Sequence, residues 1–152
     1  IFESGYKGQL QAFATDTLIV GEKSEFSYPS VLATYGKINS GTQLIEIKNE
    51  SVVSGIVFQE RAKVASNDLS IIKLNEGSII EGQIYTQGSV NVTGAVEGVV
   101  ICSNFNLRTS SSIYENYLLD AEIDAKKRSK YYVGVNFFED NLTEKKVIDE
   151  LE

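Results

Sequence analysis

Three glutamates each stand one residue before a repeated glycine or asparagine: Glu81 before Gly82, Glu97 before Gly98 and Glu115 before Asn116. If the segments that carry them stack side by side, their carboxylates form a column with like charges about 5 Å apart. Such a column repels itself unless water, salt or a cation lies between the charges. The expected outcome is a solvated acidic stripe. The alternative is a Ca²⁺ ion bridged by oxygen ligands, for which Glu81, Glu97 and Glu115 are the candidate residues. The same column takes Lys7, Tyr28 and Ser54 from earlier segments. A second acidic group, Asp120, Glu122 and Asp124, occupies alternate residues and is followed directly by Lys126, Lys127 and Arg128. It reads as a turn with compensating charges.

Other chemistry is narrowed by composition. The chain has no histidine, which removes the commonest general base and the commonest metal ligand. Ser-His and Cys-His nucleophile systems cannot be built within it, nor can a Cys/His zinc site. Neither a P-loop nor a dinucleotide-binding glycine fingerprint occurs. The lone Cys102 lies in the apolar run Val99-Val100-Ile101-Cys102, with no neighbouring cation to lower its pKa, and reads as a small core residue. No catalytic residue and no cofactor are assigned. A formal charge of −7 and a pI near 4.7 repel polyanions, so no nucleic-acid partner is expected.

The elements that position these residues follow from two alternating motifs. The first is apolar–x–Gly–x–apolar: Tyr6-Lys7-Gly8-Gln9-Leu10, Val53-Ser54-Gly55-Ile56-Val57, Ile80-Glu81-Gly82-Gln83-Ile84 and Val96-Glu97-Gly98-Val99-Val100. Asn116 takes the glycine slot in a later copy and Pro29 in an early one. The glycine is expected at a sharp bend between strands, where positive φ is needed and Asn is the next-best residue. Pro29, with φ fixed near −65°, does not meet that requirement. The second motif is apolar–x–apolar: Leu18-Ile19-Val20, Ile45-Glu46-Ile47, Ile72-Lys73-Leu74, Val90-Asn91-Val92, Phe105-Asn106-Leu107 and, more weakly, Ile123-Asp124-Ala125. Period-two alternation gives short strands with one buried face.

A motif that returns about every twenty residues indicates a solenoid. The expected fold is therefore all-β: a right-handed parallel β-helix of about six coils over residues 1–130, followed by a C-terminal tail, 131–152, that packs on or caps the stack. Loops are expected at 34–42 and 59–68, which are polar and turn-rich. The tail contains the aromatic run 131–138 and a short helix near 143–151, capped by Asn141 or Thr143. Beside the glycine slot, Gln9, Ser30, Ile56, Gln83, Val99 and Tyr117 should point outward by alternation. Three of these are apolar or aromatic, so Ile56, Val99 and Tyr117 are the candidates for a partner-binding face, unless the tail or a loop covers them.

The alternation of Val-x-Gly-x-Ile with Val-x-Val over short coils resembles the bactofilin family of polymer-forming bacterial cytoskeletal proteins. The match is best from Ile72 to Val100 and extends less cleanly from Tyr6 to Ala125. The resemblance implies a right-handed β-helix with a non-enzymatic scaffold role near a membrane, in which coils stack end to end between molecules. The long loops and the C-terminal tail depart from that pattern, and a tail on one end would oppose polymerisation. The expected function is thus a non-enzymatic structural or interaction domain of a bacterial, envelope-associated protein, with protein partners or self-association. The alternative, by analogy with the pectin-degrading enzymes built on β-helices, is a carbohydrate-binding or carbohydrate-active domain. No run of 18 apolar residues occurs, so no membrane-spanning helix is expected. The chain opens on Ile1-Phe2-Glu3 within structured-looking sequence, and any membrane tether is expected in a segment outside it.

Overall fold

A computed structural model describes residues 1–36, 42–61, 70–109, 111–130 and 132–134. In chain order the strands are β1 (Lys7–Gly8), β2 (Gln11–Ala14), β3 (Thr17–Val20), β4 (Glu25–Gly36), β5 (Gln43–Ile47), β6 (Val52–Arg61) and β7 (Ser70–Leu74). They continue with β8 (Ile79–Thr86), β9 (Ser89–Val92), β10 (Ala95–Ile101), β11 (Asn104–Arg108), β12 (Ile113–Glu115) and β13 (Glu122–Ile123). One short 3₁₀ turn, Ala125–Lys127, follows. The regular structure of the described residues is therefore almost all β, as the period-two motifs require.

From β2 to β11, consecutive strands alternate between two sheets. One sheet runs β1-β4-β6-β8-β10-β13, with β2 also on β4; the other runs β3-β5-β7-β9-β11-β12. Among the described residues every strand pairing is parallel except β11–β12. Register puts like on like. Phe26, Val53, Ile80 and Val96 form one inward row, and Leu32, Val57, Ile84 and Val100 form the next. In the second sheet the rows are Leu18-Ile45-Ile72-Val90 and Val20-Ile47-Leu74-Val92. These side chains make a single buried core between the sheets, with Val100 partly buried against it. Burial of such residues contributes about 1.5–3 kcal/mol each before conformational entropy opposes it.

The glycines do not sit at bends between strands. Gly55, Gly82 and Gly98 are in mid-strand, directly paired across β6, β8 and β10, with Ser30 of β4 completing the row. A Cβ at Gly82 would run into the Gly55 carbonyl, and one at Gly98 into the Gly82 carbonyl. Close approach of the adjacent strand is the physical reason for this row. Gly55 and Gly82 also have φ of 148° and 151°, whereas Gly98 is not among the positive-φ residues. Gly8 belongs to another row, because it pairs with Phe26. Pro29 lies in the register shift between Phe26 and Ser30. Asn116 has φ 56°, as expected, but it follows β12 in the other sheet's region.

The true turn row was not anticipated. Gly5, Lys23, Glu50 and Gly77 have φ of 76°, 55°, 58° and 68°. Their rungs are bonded strand on strand: Gly5 N–H donates to Glu22 O, Lys23 N–H to Asn49 O and Glu50 N–H to Glu76 O. Ser24, Ser51 and Ser78 follow each of the last three positions, all buried. The Ser51 hydroxyl donates to Gly21 O at 2.8 Å and accepts from Ser24 N at 3.1 Å. A short hydroxyl there satisfies backbone groups that a turn would otherwise leave buried and unpaired.

The opposite corner holds a buried polar ladder. Gln43 Nε2 donates to Thr15 O, Gln59 Nε2 donates to Gln43 O, and Thr86 Oγ1 donates to Gln59 Oε1 at 2.9 Å. Of the loop expected at 34–42, Thr34 to Gly36 belong to β4, and 37–41 lie outside the described residues. Of the loop at 59–68, residues 59–61 belong to β6 and the rest lies outside, as do the helix near 143–151 and residues 135–138. The motif Ile123-Asp124-Ala125 does not continue the second sheet: Ile123 pairs with Val96 in the first.

Candidate functional site: a cleft on the outer face of the first sheet

Because Val53, Ile80 and Val96 are buried in the core, the residue that follows each of them in its strand must face out. Ser54, Glu81 and Glu97 are directly paired across β6, β8 and β10. The Ser54 hydroxyl donates to Glu81 Oε2 at 2.5 Å. One residue beyond the pair Val96–Ile123, Asp124 extends the row, its N–H donating to Val96 O. The expected stripe is thus real from Ser54 to Glu97. Tyr28 also reaches it, from the irregular stretch before Ser30.

Two expected members are elsewhere. Lys7 pairs with Glu25 in register and bonds it at 3.1 Å, two residues away from the row. Glu115 is in β12, antiparallel to β11 and opposite Asn106 in the second sheet. The reversal of chain direction at β12 breaks the repeat, so spacing along the sequence no longer maps to position in the stack. The three-glutamate Ca²⁺ set is therefore not assembled. Among the described residues no group of three or more His, Cys, Asp or Glu side chains converges as a metal site.

The row becomes one wall of a cleft of about 260 Å³, closed on the other side by Lys127, Ser129 and Tyr132. The 3₁₀ turn places Lys127. Asp124 caps it by accepting from Lys126 N at 2.8 Å, and Lys127 Nζ bonds Glu122 Oε1 at 2.5 Å. This is the charge-compensated turn that the sequence indicated. The hydrogen bond and charge of Glu122, with further negative charge from Glu97 and Asp124, hold the Lys127 ammonium above its ordinary pKa.

Tyr132 was missed by sequence reasoning. Its ring lies over the glycine row: a Cβ on Gly82 would come within 2.8 Å of Tyr132 Cε2. Its hydroxyl donates to Gly55 O at 3.0 Å. Tyr28 packs edge-on at 5.4 Å, and Arg128 lies over the ring with Cζ 5.7 Å from the centroid. Burial, then the nearby Tyr28 phenol, pushes the Tyr132 hydroxyl up to about 12, against the opposing Arg128 charge. The one available signal was the glycine row itself, whose missing side chains leave a flat strip on which an aromatic ring can rest.

Ile56 and Val99, two of the expected partner-binding residues, flank Gln83 in one outward row. Gly134 lies against Gln83, since a Cβ there would be 2.8 Å from Gln83 Nε2. Residues 132–134 therefore cross this face of the sheet, as the covered-face reading expected. Tyr117, the third candidate, is not in the row. It is exposed after β12 with its ring 6.1 Å from Tyr114. The early members of that row also differ from expectation, because Val31 and Gln11, rather than Ser30 and Gln9, share it. Cys102 is half-buried against the core, and burial raises its thiol pKa. Compared with known proteins, the chain matches no family model, no curated protein and no solved structure.

Proposed function

We propose that this chain is a right-handed parallel β-helix serving as a non-enzymatic scaffold or interaction domain of a bacterial envelope-associated protein, with protein partners or further copies of itself. The observation that carries the reading is the pairing order: strand after strand alternates between two parallel sheets with glycine on glycine and core residue on core residue. A stack of coils produces that order, and right-handed crossovers between parallel strands are the rule. It agrees with the bactofilin-like motif. The two ends differ in a way that bears on assembly. At the far end of the second sheet, β12 is antiparallel. At the near end, the edge of β3 away from β5 carries among the described residues only the Phe2–Val20 bridge, and Phe2, Tyr6, Leu10 and Ala12 pack partly buried against the core. Exposed strand edges and apolar ends favour association. Sedimentation velocity across a concentration series tests this. Concentration-dependent association supports the reading, and cleavage of polygalacturonate in the presence of Ca²⁺ would overturn it.

A second reading, carbohydrate binding or carbohydrate-active chemistry, is favoured by one observation: Glu81 and Glu97 share a cleft with Lys127, Tyr28 and Tyr132. Polysaccharide cleavage that is lost in Glu97→Ala would support it, and activity unchanged by that substitution would remove the site assignment.

A further inference from the structure

We infer that Phe137 and Phe138, which follow Gly134 in the sequence beyond the described residues, seat on a strip of outward aromatic residues next to the cleft and fill a one-ring gap in it. The strip follows from register. Phe13, Ala33, Phe58 and Tyr85 are paired in order across β2, β4, β6 and β8. Leu32, Val57 and Ile84, which precede the last three, are buried in the core, so this row faces out. The Phe58 and Tyr85 rings stack at 5.3 Å with 13° between their planes. Ala33 interrupts the ladder with a methyl. Phe13 and Phe58 flank it two strand steps apart, about 9.6 Å. One ring between them would stand about 4.8 Å from each, within the spacing of aromatic pairs. A groove of about 600 Å³ opens there, lined by Phe13, Ala33, Tyr35 and Phe58, and Phe13 and Tyr35 are 69% and 62% exposed. Asp16 is the one charged residue among its described walls, and its carboxylate accepts from Thr17 N–H at 2.6 Å. The groove therefore suits an apolar ring better than a charged group.

The occupant is argued from the path of the chain. Ser129 stands beside Glu81 and Glu97, the Tyr132 ring lies against Gly82, and Gly134 lies against Gln83. The chain thus advances over β8 from position 81 toward position 85. Tyr85 is two residues beyond Gln83, about 6.6 Å along the strand. Ala33, two strand steps to the side of Tyr85, is about 12 Å from Gln83 on the diagonal. The sequence continues Val135-Asn136-Phe137-Phe138, and three to four residues span at most about 10–14 Å. The two phenylalanines thus come within reach of Tyr85, Phe58 and the Ala33 gap. Their seat is continuous with the contact that Tyr132 and Gly134 already make with this face. A second copy of the chain would have to approach the strip past residues 132–134. A face closed in this way leaves partners the ends and edges of the stack.

The test is NMR of the full chain with labelled alanine and isoleucine methyls and phenylalanine rings. The expected result is cross-relaxation between the Ala33 methyl and the ring protons of Phe137 or Phe138. In the double variant Phe137→Ala, Phe138→Ala those cross-peaks should be lost and the Ala33 methyl signal should shift. Val133→Ser, at a position 75% exposed in the same stretch of chain, should leave both in place. The methyls of Ile45 and Ile72, fully buried in the core, should not move in either variant, which verifies the fold. An Ala33 methyl unmoved by the double substitution would overturn the inference. So would ring contacts that appear only between differently labelled molecules, which would assign the gap to a second copy. The inference stands apart from the scaffold reading: association is read by sedimentation, so either result can fail without the other.

Discussion

Gly98→Ala separates the two reasons a glycine can be required here. Gly98 is not among the positive-φ residues, so an alanine meets no backbone penalty of that kind. Its Cβ would instead stand 2.7 Å from the Gly82 carbonyl carbon and 3.2 Å from Gly82 Cα, with the carbonyl oxygen closer still. Real Cβ contacts do not fall below 3.0 Å, and the obstacle is backbone in the middle of a paired strand. Strands β8 and β10 must therefore part locally by about 1 Å from their ordinary spacing near 4.8 Å. N–H···O bonds stretched by that much are lost. Losing two, at about 1 kcal/mol each, and leaving buried polar groups unpaired, at about 1–3 kcal/mol, gives a cost of about 3–5 kcal/mol. That is a large part of a typical domain stability of about 5–15 kcal/mol. Gly5→Ala is the counterpart: nothing lies within 4 Å of its Cβ position but φ is +76°, so only about 1–2 kcal/mol is expected. In urea unfolding followed by far-UV circular dichroism, the Gly98→Ala midpoint should fall by about 2 M with an unchanged slope. A midpoint shift no larger than that of Gly5→Ala would refute the close-approach argument.

Three further outcomes are expected. Thr34 Oγ1 is buried without a hydrogen-bond partner beside the glutamine ladder, so Thr34→Val should be neutral or stabilising by up to about 1 kcal/mol, whereas Gln59→Ala, which strands the Gln43 carbonyl and the Thr86 hydroxyl, should cost about 2–3 kcal/mol; chemical denaturation reads both. Tyr132 titrates near 12 against about 10 in the unfolded chain; its raised value favours the folded protein below pH 10, and that contribution is lost as pH rises from about 10 to about 12. Ultraviolet tyrosinate titration should show a late phenol that is absent in Tyr132→Phe. Burial of Glu46 opposes its ionisation, but hydrogen bonds from Lys73 and Asn75, with the charges of Lys73 and Lys48, outweigh it and hold the pKa low. That carboxylate therefore stabilises the fold above its unfolded pKa and loses the effect as pH falls through the folded value, so Lys73→Met should flatten the acid limb of a stability–pH curve.

The stripe at Ser54, Glu81 and Glu97 was legible in the sequence because all three residues lie in the regular part of the repeat, where register copies spacing. Glu115 and Tyr117 were misplaced because they follow the reversal at β12, where that copying stops. The close-approach role of the glycines was hidden by a similar limit. Periodicity locates a glycine but does not say whether φ or a neighbouring carbonyl demands it. The residues with positive φ in the turns, Lys23 and Glu50, carry side chains, so composition gave no hint of them. Thr34, Gln59 and Thr86 recur at nearly even intervals, and that recurrence was a readable sign of a third row.

The sequence by itself determined an all-β chain with strands at the alternating motifs, a hydrophobic interior made of their apolar positions, and no histidine-based chemistry. Only the tertiary structure decided what covers the outer face. Tyr132 stands 77 residues from the Gly55 carbonyl it bonds, and Lys127 joins the carboxylate row through a turn outside the regular repeat. Local periodicity dictates which side of a strand a residue faces, because that depends on backbone geometry two residues at a time. Which distant segment crosses that side depends on the whole path of the chain, and that path made a solvated stripe into the wall of a cleft.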